Sequence, residues 1–198
     1  FLVPGLAMMS MLQNAFANSS SSLIQSKITG NMIFILLTPL SPGALFAAYV
    51  LGAMVRGLVV GLGVFVVTLF FVPSLLAMPH PFWALAFAVL GSAILGTLGL
   101  IAGIMAEKFD QISAFQNFFI MPLTFLGGAF YSIDMLPDAW RTFSLFNPVV
   151  YLVSGFRWAF YGIADVAVGV SLAATLGFFV LCLGVVWWIF RTGYRLKN

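Results

Sequence analysis

The chain has 198 residues, of which 63% are hydrophobic and 7% charged, with a net charge of +3. An ordinary soluble domain is roughly one-quarter charged. A chain this apolar cannot cover itself with polar surface, so an integral membrane protein is expected, with room for about four to six crossings at about 20 residues each. Eight Lys and Arg are too sparse for a nucleic-acid surface and read instead as topology-determining charge.

Residues 1–17, FLVPGLAMMSMLQNAFA, are apolar from Phe1 and are expected to be the surviving part of a span whose start precedes them. The competing reading is a signal peptide cut after Ala15-Phe16-Ala17, but it lacks a basic leading segment. Residues 18–42, NSSSSLIQSKITGNMIFILLTPLSP, are polar, then amphipathic, then broken by Pro39 and Pro42. They predict a short helix along the cytoplasmic face, not a span. Residues 45–72 form a long apolar span containing Arg56, and residues 82–106 a clean one. Residues 112–131 form a span with Pro122 in its middle. The last span, 166–190, ends in Trp187-Trp188, an aromatic pair suited to a membrane interface.

Positive charge orients these spans. Arg191, Arg195 and Lys197 put the C-terminus in the cytoplasm. Counting back, residues 132–165 and 73–81 lie outside, and Lys27 and Lys108 inside. A cleaved signal peptide would put the basic tail outside, against this rule.

Residues 121–161, MPLTFLGGAFYSIDMLPDAWRTFSLFNPVVYLVSGFRWAFY, do not form one clean span. Gly127-Gly128, Pro137 and Pro148 break the segment, and Asp134, Asp138, Arg141 and Arg157 charge it. Irregular backbone at membrane depth must be buried in protein or line a cavity. Asn147-Pro148 is a strong helix start, because Asn caps and Pro at the first position has no N–H to waste. The helix that follows is about 14 residues, or about 21 Å, too short for a core of roughly 30 Å. A second short helix is expected over 137–146. Together they predict a re-entrant pair dipping in from outside.

Chemistry-bearing groups are few. No GxxxxGK[ST] occurs, so ATP hydrolysis by that route is excluded for this stretch. His80, between Pro79 and Pro81, reads as a loop residue. Cys182, the one cysteine, reads as a packing residue and allows no intrachain disulfide. No nucleophile–base or metal constellation is present, so no enzymatic activity is expected. Arg56 is the one charge inside a span. It is either a functional intramembrane charge or a side chain near a helix end that snorkels to the interface. Gly57 and Gly61, and again Gly99 and Gly103, carry the small-xxx-small spacing of closely packed helices.

This pattern resembles the permease subunit of type-2 ABC exporters, which export polysaccharides, drugs and lipids. The residues that carry the resemblance are LLTPLSP (36–42), FLGGAFYSIDMLPDAWR (125–141) and NPVVYLVSGFR (147–157). The resemblance implies an all-α polytopic helical bundle, spans two to six of six, with a re-entrant helix pair before the last. A single transmembrane domain would cover 1–198, incomplete at its N-terminus. The implied partners are a second permease chain, making a homodimer, a separate ABC ATPase subunit that holds ATP-Mg, and the lipid bilayer. No cofactor would be bound by this chain, and no nucleic acid. A coupling helix at about 25–36, with Gln25, Lys27, Asn31, Leu36 and Pro39, would seat in the ATPase. The re-entrant pair at 133–161 would form an external gate with Gly127, Gly128, Asp134, Pro137, Asn147, Pro148, Tyr151 and Arg157. Localisation would be the bacterial inner membrane, multi-pass, with a cytoplasmic C-terminus. The alternative is a secondary transporter or channel subunit with broken helices, although its spans would hold no carboxylate for ion coupling.

Overall fold

The computed structural model describes residues 2–37, 41–73 and 77–192. All regular elements among them are helical. Helix α1 is Leu2–Ile28, α2 Asn31–Leu37, α3 Pro42–Phe71 and α4 Pro81–Met105. A bent span follows, made of α5 (Phe109–Phe115), a π-helical segment Gln116–Ile120, α6 (Met121–Thr124) and a second π-helical segment Phe125–Ala129. A 3-10 turn, Ile133–Met135, leads to α7 (Asp138–Ser144), α8 (Pro148–Tyr161) and α9 (Val168–Thr192). Gly43–Phe71, Pro81–Met105, Phe109–Ala129 and Val168–Thr192 are each long and apolar enough to cross a membrane. The chain is a polytopic helical membrane protein.

The helix starts follow the sequence. Ser41 caps α3, its Oγ accepting from the Ala44 N–H at 3.2 Å, with Pro42 next. Pro81 opens α4 and Pro148 opens α8, where a missing N–H costs nothing. Pro122 and the Gly127-Gly128 pair explain the wide turns of the bent span. Proline gives no N–H to the turn before it, and two glycines relax the backbone, so the ladder re-registers on both sides.

Helix α1 is the centre of the bundle. It lies in a groove between α3 and α4, antiparallel to α3 and parallel to α4. The groove is cut by the two glycine pairs. A Cβ on Gly57 would come within 3.1 Å of the Met11 carbonyl oxygen, and one on Gly99 within 2.4 Å of that of Phe16. Gly61 and Gly103 meet Met11 and the Ser20–Leu23 turn in the same way. Met8, Leu12, Phe16 and Ile24 fill the contact and are fully buried. A smaller cluster of Leu23, Met32, Leu100, Ile104, Val186 and Ile189 brings α9 against α4 at the α4 C-terminal end.

Three expectations need correction. First, the polar run after Ala17 does not end the first helix, which continues to Ile28. Its serines are absorbed into helix, with Ser20 Oγ donating to the Phe16 carbonyl at 2.8 Å and Ser26 Oγ to that of Ser22 at 3.0 Å. Second, residues 25–36 are not one helix. Gln25 and Lys27 end α1, Gly30 adopts φ 74° in the break, and α2 begins at Asn31. Third, Arg56 is not near a helix end, since α3 runs from Pro42 to Phe71 and places it at mid-length. A snorkelling role therefore does not fit.

Candidate functional site: a short-helix pair fastened to a bent span

The candidate residues separate to opposite ends of α4. At its C-terminal end lies the Lys27 group. The Lys27 ammonium donates to the Ile104 carbonyl and, at 3.2 Å, to that of Ala106. A cation on the last carbonyls of a helix answers both their unmet hydrogen bonds and the helix dipole. Gln25 is exposed, and its carbonyl accepts from the N–H and hydroxyl of Thr29 at 3.0 and 2.8 Å. Asn31 is exposed at the start of α2. The side chain of Leu36, and Pro39, lie outside the described residues, as do Arg195 and Lys197.

At the other end of α4, two short helices pack on the bent span. Asn147 works in two directions. Its Oδ1 accepts from the Val149 N–H at 2.9 Å, capping α8, and its Nδ2 donates to the Leu123 carbonyl at 2.7 Å, beside the second π-segment. One side chain thus fixes the α7–α8 corner to the bent span. Tyr151 supports the corner, its hydroxyl donating to the Leu145 carbonyl at 2.7 Å. The Pro137 carbonyl accepts from Arg141 N–H at 2.9 Å as α7 begins. Asp134 pairs with Arg141 at 2.9 Å, but both are about half exposed, so the pair contributes little.

The second fastening is buried. Gly128 has φ 81°, a left-handed turn that ends the bent span and that side-chain-bearing residues avoid. Its carbonyl accepts from Arg157 Nη2 at 2.5 Å. Arg157 Nη1 pairs with Asp165 Oδ2 at 2.6 Å, with both side chains under 10% exposed. Ser132 donates its hydroxyl to the other Asp165 oxygen. Four segments meet here: the end of the bent span, the turn after it, α8 and the loop before α9. Neighbouring Gly127 lets α8 come close, since a Cβ there would sit 2.5 Å from Val149 Cγ1. On α8, Gly155 presses against the Phe87 ring of α4, and His80 stacks on Trp158 with centroids 4.2 Å apart.

Burial pushes the Tyr131 phenol up, opposed by a hydrogen bond with Ser144, so it stays neutral at physiological pH. Beside it, a cleft of about 470 Å³ opens between α7 and the bent span, lined by Phe118, Phe119, Leu126, Trp140, Phe143 and Phe146.

Sequence reasoning named Arg157, Asn147 and Gly128 but missed Asp165, Ser132 and Leu123. The only signal for Asp165 was a lone carboxylate eight residues past an arginine. It also missed the Gln13 amide, which donates to Thr124 Oγ1 at 3.1 Å and joins α1 to α6.

The described residues form a polytopic bundle of apolar helices, with the short helices α7 and α8 fastened to one end of it. A family model described as ABC-2 type transporter matches residues 1–161, and the chain belongs to that family. It is 39% identical over 203 residues to the inner membrane transport permease YadH of Escherichia coli strain K12, covering 100% of this chain and 77% of that relative. The YadH of Shigella flexneri matches to the same extent. Nodulation protein J of Rhizobium leguminosarum bv. viciae is 27% identical over 158 residues, covering 76% of this chain and 55% of the relative. The chain is thus a permease-type component of an ABC transporter in an inner membrane, which sets aside the secondary-transporter alternative.

Proposed function

We propose that the chain is the membrane-spanning subunit of an ATP-driven exporter, working as a homodimer and coupled to a separate ATPase subunit that holds ATP-Mg. Helix α2 and the end of α1, with Gln25, Lys27 and Asn31, form the ATPase-facing coupling element on the cytoplasmic side. Helices α7 and α8 form the external lid. The C-terminus is cytoplasmic, in keeping with Arg191 at the end of α9 and the basic residues after it.

The observation that carries this reading is the way α1 and α4 run side by side between the two residue groups and are tied at both ends. Lys27 binds the α4 C-terminus. At the other end Gly5 meets the Ala129 backbone, a Cβ there reaching 2.4 Å from its carbonyl oxygen, and Phe87 meets α8. A push on α2 therefore reaches the lid through packed helices rather than through loops. ATP closure of the ATPase dimer supplies the push and opens a path between the two permease chains.

The test is whether a P-loop ATPase co-purifies with the full-length chain, and then whether the pair hydrolyses ATP and exports in vesicles. Gly128→Leu forces a branched side chain onto a left-handed backbone, so it should abolish export while the ATPase stays bound. Normal export by that variant, or no ATPase retained by the unmodified chain, overturns the proposal.

A further inference from the structure

Helix α1 has two unlike faces. The face toward α3 and α4 is buried and mostly apolar, with Ser19 and Ser20 the polar exceptions. The opposite face is only partly covered, and from Ser10 to Gln25 it carries polar side chains at helical spacing: Ser10, Gln13, Asn14, Asn18, Ser22 and Gln25. Ser10, Gln13, Asn14 and Asn18 sit level with the middles of α3 and α4, where Met11 meets Gly57 and Gly61 and Phe16 meets Gly99, while Ser22 and Gln25 continue the face toward the α4 C-terminal end that Lys27 reaches. A partly open polar face at the middle of the bundle does not lie against lipid; it lies against water or protein.

The two edges of this face are polar as well. On one side Arg56 of α3 donates from Nη1 to Asn18 Oδ1 at 3.3 Å, and its side chain is exposed. Among the described residues no carboxylate pairs with it, the salt bridges being Arg141–Asp134 and Arg157–Asp165. On the other side Gln13 bonds Thr124 of the bent span. The face therefore offers neutral amides and hydroxyls, one guanidinium and no negative charge.

We infer that this face of α1, bounded by Arg56 and Thr124, is the wall of the water-filled path and that it selects polar solutes bearing an anionic group, which Arg56 engages. This rests on the exporter reading above. A guanidinium presents a planar fork of donors that fits carboxylate, phosphate or sulfate oxygens. The surrounding amides and hydroxyls replace the hydration of the rest of a polar solute. An apolar drug or a bare acyl chain would leave those groups without partners.

The experiment needs neither the substrate nor nucleotide, so its failure is separate from failure of the ATPase co-purification. In the full chain carrying Cys182→Ala, single cysteines replace Asn14 and Ser22, one turn either side of Asn18. Controls replace Leu62 and Val180, which are exposed on apolar faces. Membrane vesicles are treated with anionic sulfonatoethyl and cationic trimethylammonioethyl methanethiosulfonate. The expected result is rapid labelling of Asn14→Cys and Ser22→Cys and none of the controls. The anionic-to-cationic rate ratio should fall about fivefold on adding Arg56→Gln and hold with Arg56→Lys. Fivefold is the effect in water of one unit charge about 8 Å away on two probes of opposite sign. Asn14→Cys and Ser22→Cys labelling no faster than Leu62→Cys overturns the path. Labelling with a rate ratio indifferent to Arg56→Gln overturns the anion selectivity.

Discussion

Each end of the bundle has a cation on the last carbonyls of a helix, and the two cations are set differently. Lys27 caps α4 with a half-buried ammonium on a flexible stem. Arg157 caps the bent span with a buried guanidinium that is also held by Asp165 and, through it, by Ser132. A buried ion pair is costly to open, because either partner alone is a buried uncompensated charge. A cation near the surface is re-solvated when it lets go. The Arg157 end is thus built to hold one geometry, and the Lys27 end to yield.

The largest effect is expected at the Arg157–Asp165 pair. Arg157→Ala or Asp165→Ala alone should cost about 3–5 kcal/mol, seen as a large fall in the thermal unfolding midpoint in detergent. Arg157→Met combined with Asp165→Leu should cost clearly less than the two single losses summed. Additive losses would mean that the pair is not the fastening described. Between the ends, Gly99→Ala puts a methyl group against the Phe16 backbone and should cost about 1–3 kcal/mol by forcing α1 and α4 apart. Asn147→Ala removes a cap and a cross-segment hydrogen bond. A loss of about 1–2 kcal/mol is expected, with faster amide exchange in α7 and the start of α8. Smallest of all, Lys27→Met should cost only about 0.3–1 kcal/mol. Its larger consequence is for coupling, with ATP hydrolysis retained and export lowered. If Lys27→Met destabilises as much as Arg157→Ala, the contrast between the ends is wrong.

The short helices α7 and α8 were largely legible in the sequence because their signals are local. Asn147-Pro148 announces a cap and a first turn within two residues, and the left-handed Gly162 ends α8 with its N–H on the Trp158 carbonyl at 2.7 Å. The ion pair was not legible, because Arg157 is on a helix and Asp165 on the loop beyond it. Only the fold of that loop brings them together. Helix α1 misled for a different reason. Asn18 and the serines after it read as the polar start of a separate cytoplasmic segment rather than as a continuation of the span, but the Ser20 and Ser26 hydroxyls return to carbonyls one turn back, and tertiary packing overrides the weak preference. Arg56 was visible as a charge, but its depth and its Asn18 partner depend on where α3 begins and what α1 brings beside it.

The polarity of α1 also bears on how the protein is made. Leu2–Ile28 is absent from the four helices apolar enough to cross a membrane by composition, yet it occupies the middle of the bundle. A helix with so many serine, asparagine and glutamine side chains gains little from lipid on its own. The grooves that shelter it are cut by Gly57, Gly61, Gly99 and Gly103, all synthesised after it. The apolar face of α1 therefore finds its full packing only once α4 lies beside it.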